Sequence, residues 1–134
     1  MQLVDASVWV AIADPGDRFH SDARRIVADL RRPLAALDLT LYEVANVMGA
    51  KKRQAAEGRV LLRLIRRRCR ESLMLADLDL LEDALEIAAE HGLTAYDAAY
   101  VAAARRHRCT LVSCDVADLV SKGLAVTPDD ADYP

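Results

Sequence analysis

Four acidic residues stand at similar places in the chain, each at the end of a short apolar run or in the helical turn that follows one. Asp5 directly follows Met1–Val4, Glu43 lies in the first turn after Leu34–Leu37, Asp97 opens an Ala-rich stretch, and Asp115 directly follows Thr110–Ser113. Carboxylates brought together in a partly dry cleft repel one another strongly, and only protonation or a divalent cation relieves the repulsion. Mg²⁺ and Mn²⁺ take oxygen ligands, keep several waters and commonly bridge carboxylates to a substrate phosphate. Neither Cys69, Cys109 and Cys114 nor His20, His91 and His107 form a pair at ligand spacing, so the acids point to Mg²⁺ or Mn²⁺ and not to Zn²⁺. A structural reading stands beside this one. Asp and Glu are favoured in the first turn of any helix. Thr40–Glu43, Thr94–Asp97 and the pair Asp115 and Asp118 all have the spacing of a capping box. If every acid is only a cap, the chain has no metal affinity.

The elements that would position these acids alternate between strand and helix. Met1–Val4 reads as a strand, followed by a helix through about Ala13 that Asp5-Ala6-Ser7 caps. Phe19, Ala23, Ile26, Val27 and Leu30 recur at helical spacing. Leu34–Leu37 is a second strand, and the helix after it buries Leu41, Val44, Ala45, Val47 and Met48. Gly58 reads as the break before a further helix, with Val60, Leu61, Leu64 and Ile65 inward and several Arg outward. Leu73–Ala76 is a third strand, and Leu80–Glu90 is an acidic helix ended at Gly92. Thr94–Arg106 is a central small-residue helix and Thr110–Ser113 a strand. Asp115–Val120 is a short helix and Leu124–Val126 a candidate edge strand. Such alternation implies an α/β fold with a short, mostly parallel sheet flanked by helices, whose sites lie beyond the carboxyl ends of the strands.

At 134 residues and 53% hydrophobic composition, the chain reads as one domain over 1–134, with 127–134 as a polar tail. Scarce Gly and Pro exclude collagen-like and disordered classes, and no apolar stretch approaches the roughly 18 residues of a membrane span. No basic flank or cleavage site marks a signal peptide, and the unpaired cysteines suit a reducing cytoplasm. Net charge is −3 but unevenly spread. Residues 1–76 carry 14 Lys and Arg against 9 Asp and Glu, whereas residues 77–134 carry 4 against 12. Arg63, Arg66, Arg67 and Arg70 on the basic helix are candidate phosphate contacts, with a solvated helix face as the alternative. Tyr42, Tyr96 and Tyr100 lie near the acids but at spacings that suit core packing, so a broad stacking surface for bases is not expected.

In order along the chain, Leu3-Val4-Asp5-Ala6-Ser7-Val8, Leu41-Tyr42-Glu43-Val44-Ala45-Asn46, Leu93-Thr94-Ala95-Tyr96-Asp97-Ala98 and Leu111-Val112-Ser113-Cys114-Asp115 resemble the four motifs of the PIN-domain ribonucleases. The closest resemblance is to the VapC-type toxins of bacterial and archaeal toxin–antitoxin pairs. Ser113 stands where the family often has Thr, and Asp118 matches a further acid that members often carry after the last motif. The resemblance implies a three-layer α/β/α fold and hydrolysis of RNA phosphodiesters. Asp5, Glu43, Asp97 and Asp115 would hold one or two ions of Mg²⁺ or Mn²⁺, and Ser7 and Asp118 would support them. It implies a homodimer, and a cognate antitoxin whose C-terminal segment covers the acidic groove, resting on the apolar helix pair from Leu41 to Leu73.

Two other readings remain. A phosphoryl-transfer domain with an aspartate nucleophile fits poorly, because no second Asp lies two residues after Asp5 and no Lys follows the Thr110–Ser113 strand. A catalytically silent RNA- or protein-binding module would keep the fold, although all four acids are present.

Overall fold

Every residue of the first two strands, β1 (Gln2–Val4) and β2 (Leu34–Leu37), is buried. In a parallel sheet the helical crossovers cover both faces, so its strands read as continuous apolar runs. The computed structural model describes residues 1–132. With β3 (Leu73–Met74) and β4 (Thr110–Val112) the strands form one all-parallel sheet in the order β3-β2-β1-β4. The register sets Gln2 level with both Leu34 and Thr110. Val126 extends the β4 edge by one parallel bridge to Val112, so the candidate strand at Leu124–Val126 shrinks to a single pairing.

Alternate residues of each strand enter opposite cores, as the period of two requires. Val4, Leu34, Ala36 and Val112 pack with α1 (Ala6–Ile12), α2 (His20–Ala28), α3 (Asp38–Ala45) and α4 (Ala55–Arg68). Leu3, Ala35, Leu37 and Leu111 pack with α5 (Leu78–His91) and α6 (Ala95–His107). This is the expected three-layer α/β/α arrangement. The buried alanines from Ala98 to Ala104 let α6 lie close to the sheet and to α5. Gly92 ends α5 at φ 66°, the left-handed conformation expected of it.

Several expectations are corrected. Gly58 is no break. It lies inside α4, and a Cβ there would sit 2.8 Å from Cβ of Met48, so glycine is what lets α4 approach the π-helical turn Asn46–Lys51. The chain turns instead at Arg53, at φ 53°. Val60 is exposed on α4 rather than inward, because the packed stripe runs through Gly58, Leu61 and Ile65. Leu30 lies beyond the end of α2 and is exposed. The third strand covers only Leu73–Met74, since as an edge strand it pairs with β2 alone.

The polar C-terminal segment does not hang free. Gln2 Nε2 donates to the carbonyls of Ala131 at 3.5 Å and Asp132 at 3.1 Å. The buried Arg32 guanidinium donates to Gln2 Oε1 at 2.8 Å and to Ala131 O at 2.6 Å. Tyr133 and Pro134, the end of the tail, lie outside the described residues. No helix among the described residues is long and apolar enough to cross a membrane.

Candidate active site

Asp5 leaves β1 as the N-cap of α1, and its carboxylate accepts the Ser7 N–H at 3.0 Å. The Ser7 hydroxyl also donates to Asp5 Oδ1. That hydroxyl in turn accepts the Cys114 N–H at 2.9 Å, and Ser113 Oγ accepts the Asp115 N–H at 3.0 Å. These bonds tie the end of β1 to the loop after β4. The two carboxylates that follow adjacent strands are thereby held at the same edge of the sheet. Burial pushes the Asp5 carboxyl up to about 6, against hydrogen bonds from Ser113 and Ser7 that favour its charged form.

Glu43 sits on α3 and is half-buried. Its Oε1 is buried with no hydrogen-bond partner, so the carboxylate is held by packing while one oxygen is left for a ligand. The capping-box reading of Thr40–Glu43 fails. Thr40 lies inside α3, and its hydroxyl instead shares a 2.7 Å hydrogen bond with the Tyr100 hydroxyl. Burial raises the Glu43 carboxyl, opposed by the Tyr100 hydroxyl beside it and reinforced by the charges of Asp5 and Asp97.

The capping reading holds at Asp97 and Asp115, and there it helps to build the cluster. Thr94 Oγ1 accepts the Asp97 N–H at 3.1 Å. Asp115 accepts the Asp118 N–H at 2.9 Å. One carboxylate oxygen from each of Asp97, Asp115 and Asp118 lies within 4.8 Å of the other two. Burial raises the Asp97 carboxyl first, then the charges of Asp115 and Asp118, with the Thr94 hydroxyl and then Lys122 acting in the opposite sense. Asp97 thus feels the charges of Asp115 and Asp118, and Glu43 those of Asp5 and Asp97, so the five acids act on one another electrostatically. The donors are all carboxylate oxygens, a set that suits a hard divalent cation.

Sequence reasoning missed Lys122 and the part that three other residues play here. Ser113, Thr40 and Tyr100 hold the acids from beneath, and Lys122, whose Nζ donates to His91 O at 2.8 Å, is the cation nearest Asp97 in effect. The sequence signals for them were the Ser113 position after β4, the spacing of Thr40 to Glu43 and the nearness of Tyr100 to Asp97, none of which gave the role. The arginines of α4 divide. Arg63 and Arg66 border an apolar groove of about 500 Å³ between α3 and α4, alongside Leu41 and Tyr42. Arg67 and Arg70 lie near Pro33 and Leu34, at the end of the sheet opposite the acids. Arg68 donates to the carbonyls of Val27, Asp29 and Arg32 and so serves the fold. The tyrosines divide as well. Tyr100 is core, as its spacing implies, but Tyr42 and Tyr96 are 78% and 60% exposed, because each points away from its helix's packed face.

A parallel α/β sheet with carboxylates gathered beyond its carboxyl strand ends defines the class of protein. Residues 3–117 match the PIN domain family, and the chain belongs to that family. Two relatives from Pyrobaculum aerophilum are similar over most of their length. Ribonuclease VapC3 is 33% identical over 126 residues, covering 84% of this chain and 88% of the relative. Exonuclease VapC9 is 34% identical over 118 residues, covering 84% and 79%. Among solved structures, VapC20 of Mycobacterium tuberculosis, a sarcin–ricin loop cleaving toxin, superposes with a TM-score of 0.75 at 24% identity, covering 92% of this chain and 95% of that one. A chain of a toxin–antitoxin complex from Klebsiella pneumoniae superposes with a TM-score of 0.69 at 23% identity, covering 96% and 98%.

Proposed function

We propose that the chain is a divalent-metal-dependent endoribonuclease and the toxin of a toxin–antitoxin pair. The observation that supports this reading is the cluster of Asp97, Asp115 and Asp118, whose carboxylate oxygens lie within 4.8 Å of one another, together with the buried, unpartnered Oε1 of Glu43, a group influenced by the charges of Asp5 and Asp97. Asp5, Glu43, Asp97 and Asp115 would hold Mg²⁺ or Mn²⁺, with Asp118 as a further ligand, and a bound ion supplies Lewis acidity at the phosphate and an acidified water as nucleophile. The protein's part is positional. Ser7 and Ser113 orient Asp5 and keep it ionised, Thr40 and Tyr100 brace the wall behind Glu43, and the Asp115 cap fixes Asp118. Arg63 and Arg66 would meet RNA phosphates on the approach to the site. Their apolar groove, which includes Leu41, Tyr42, Leu62 and Leu73, suits an antitoxin segment that covers the same approach. The match over 3–117 and the docking of 127–132 onto β1 support one domain acting whole, and the assembly we propose is a homodimer.

The test is cleavage of a mixed RNA pool and of a circular RNA by purified protein with Mg²⁺, with Mn²⁺ and with EDTA, beside Asp97→Asn. Metal-dependent cutting of the circle that is lost in the variant supports an endonuclease. Cutting of linear RNA alone supports an exonuclease. No cutting and no calorimetric metal binding by either protein reduces the acids to caps and leaves a silent binding module.

A further inference from the structure

Tyr42 and Tyr96 each immediately precede a cluster acid, Glu43 and Asp97, on helices that meet over the carboxyl end of the sheet. Together they border a cleft of about 270 Å³, with Leu39, Ala76 and Leu81 as its apolar walls and Asp38 at its rim. The cleft is smaller than the ~300–1,000 Å³ typical of sites for drug-sized ligands, a size that suits one flat ring system. Two exposed phenol rings beside an apolar floor lose favourable contacts unless something lies on them, and a base has an apolar face to offer. Asp38 Oδ1 accepts the backbone N–H groups of Leu39 at 2.7 Å and Ala76 at 3.1 Å, which fixes the carboxylate of a residue that borders the cleft and leaves Oδ2 outside these two bonds.

We propose that this cleft holds one unpaired nucleobase of the RNA, next to the phosphate that is cut. This rests on the nuclease reading and adds a substrate preference to it. The base stacks on Tyr42 and Tyr96, and Asp38 Oδ2 accepts a hydrogen bond from its exocyclic amino group. Adenine, cytosine and guanine carry such an amino group, whereas both exocyclic groups of uracil are carbonyls and its donor on that edge is the ring N3–H, set back from where an amino group would reach. The substrate class is therefore single-stranded or looped RNA with an amino-bearing base at one fixed position beside the cut. The adjoining cleft between α3 and α4 is larger, at about 500 Å³, which suits a protein segment rather than a single ring.

The experiment has a binding arm and a cutting arm. Fluorescence of a single-stranded oligoribonucleotide carrying 2-aminopurine is titrated with wild type, Tyr42→Ala, Tyr96→Ala and the two Tyr→Phe variants, with Ca²⁺ in place of Mg²⁺ to neutralise the acids. Stacking is expected to quench the probe, with affinity falling about tenfold in each Ala variant and restored in each Phe variant. Cut ends from a random RNA pool are then sequenced. Wild type is expected to avoid uracil at one fixed position, and Asp38→Asn, which keeps Oδ1 and turns Oδ2 into a donor, to relax or reverse that bias. Ala variants that bind and cut like wild type overturn the proposal while leaving the nuclease intact, and leave the cleft to a protein side chain. Quenching without any cutting keeps the base site and removes the nuclease. Loss of binding in the Phe variants as well overturns stacking as its cause.

Discussion

The Ser7 hydroxyl accepts the Cys114 N–H at 2.9 Å across a separation of 107 residues, and in the same arrangement donates its own proton to Asp5. A single side chain thus joins the end of β1 to the loop after β4 and holds the most buried acid of the site. Ser7→Ala should cost about 1 kcal/mol of stability, because the Cys114 N–H loses its acceptor in a partly buried place. It should also raise the Asp5 carboxyl further and so move metal binding to higher pH. Chemical denaturation and calorimetric metal titration across pH 5.5–8, in roughly half-unit steps, check both effects.

Asp5 makes the metal-free protein less stable as pH rises. Its carboxyl lies at about 6 when folded and near 3.8 when free, so between those values the folded state binds more protons than the unfolded one. The stabilisation this brings is complete below the unfolded value and is lost as pH climbs through about 6. At pH above ~7 the ionised Asp5 should cost at most about 3 kcal/mol. Asp5→Asn should therefore raise the Tm of the metal-free protein near neutral pH and change it little at pH ~4, where wild-type Asp5 is already protonated. The pH dependence of metal binding follows with the opposite sign. Wild type should gain Mn²⁺ affinity as pH rises through about 6 and the variant should lack this rise, which thermal shift with and without Mn²⁺ would read.

Gly58→Ala should destabilise the protein by about 1–3 kcal/mol. An exposed helix position would gain up to about 1 kcal/mol from the same change, so the sign of the effect reports the contact. A Cβ at 2.8 Å from Met48 Cβ forces the π-helical turn away from α4. Urea denaturation of the variant, and of the variant combined with Met48→Ala, should show the second change relieving part of the first.

Arg32→Ala should cost about 2 kcal/mol or more by stranding Gln2 Oε1 in a buried place and leaving the Ala131 carbonyl with only its long bond from Gln2 Nε2. The network lies at the amino end of β1, opposite the acids, so metal affinity below the melting transition should stay near wild type. Susceptibility of the 127–132 segment to a protease, read by mass spectrometry, should increase.

The acids themselves were legible in the sequence because each follows a strand, opens a helix or, for Glu43, lies in the helix that follows a strand, and a parallel sheet brings its carboxyl ends to one edge. Their roles as caps were legible too, but not how caps and cluster combine. Asp5 and Asp115 are both caps and members of the cluster, whereas Glu43 is no cap at all, since Thr40 turns to Tyr100. That partner lies 60 residues away, and no local pattern encodes it. The same limit explains Gly58. Read along the chain, a glycine between two helical stretches looks like a break, and only the approach of Met48 shows that it is a contact.

The order of strands and helices, the parallel sheet, the family and the positions of the acids follow from the sequence by itself, because they depend on local periodicity and on motifs short enough to read in place. Tertiary structure alone decided which tyrosines face solvent, which arginines border the groove between α3 and α4 and which lie at the far end of the sheet, and that the polar tail closes over Gln2 and Arg32. Those outcomes turn on the direction in which a side chain leaves its helix and on what another segment brings to meet it. That information exists only once the chain has folded.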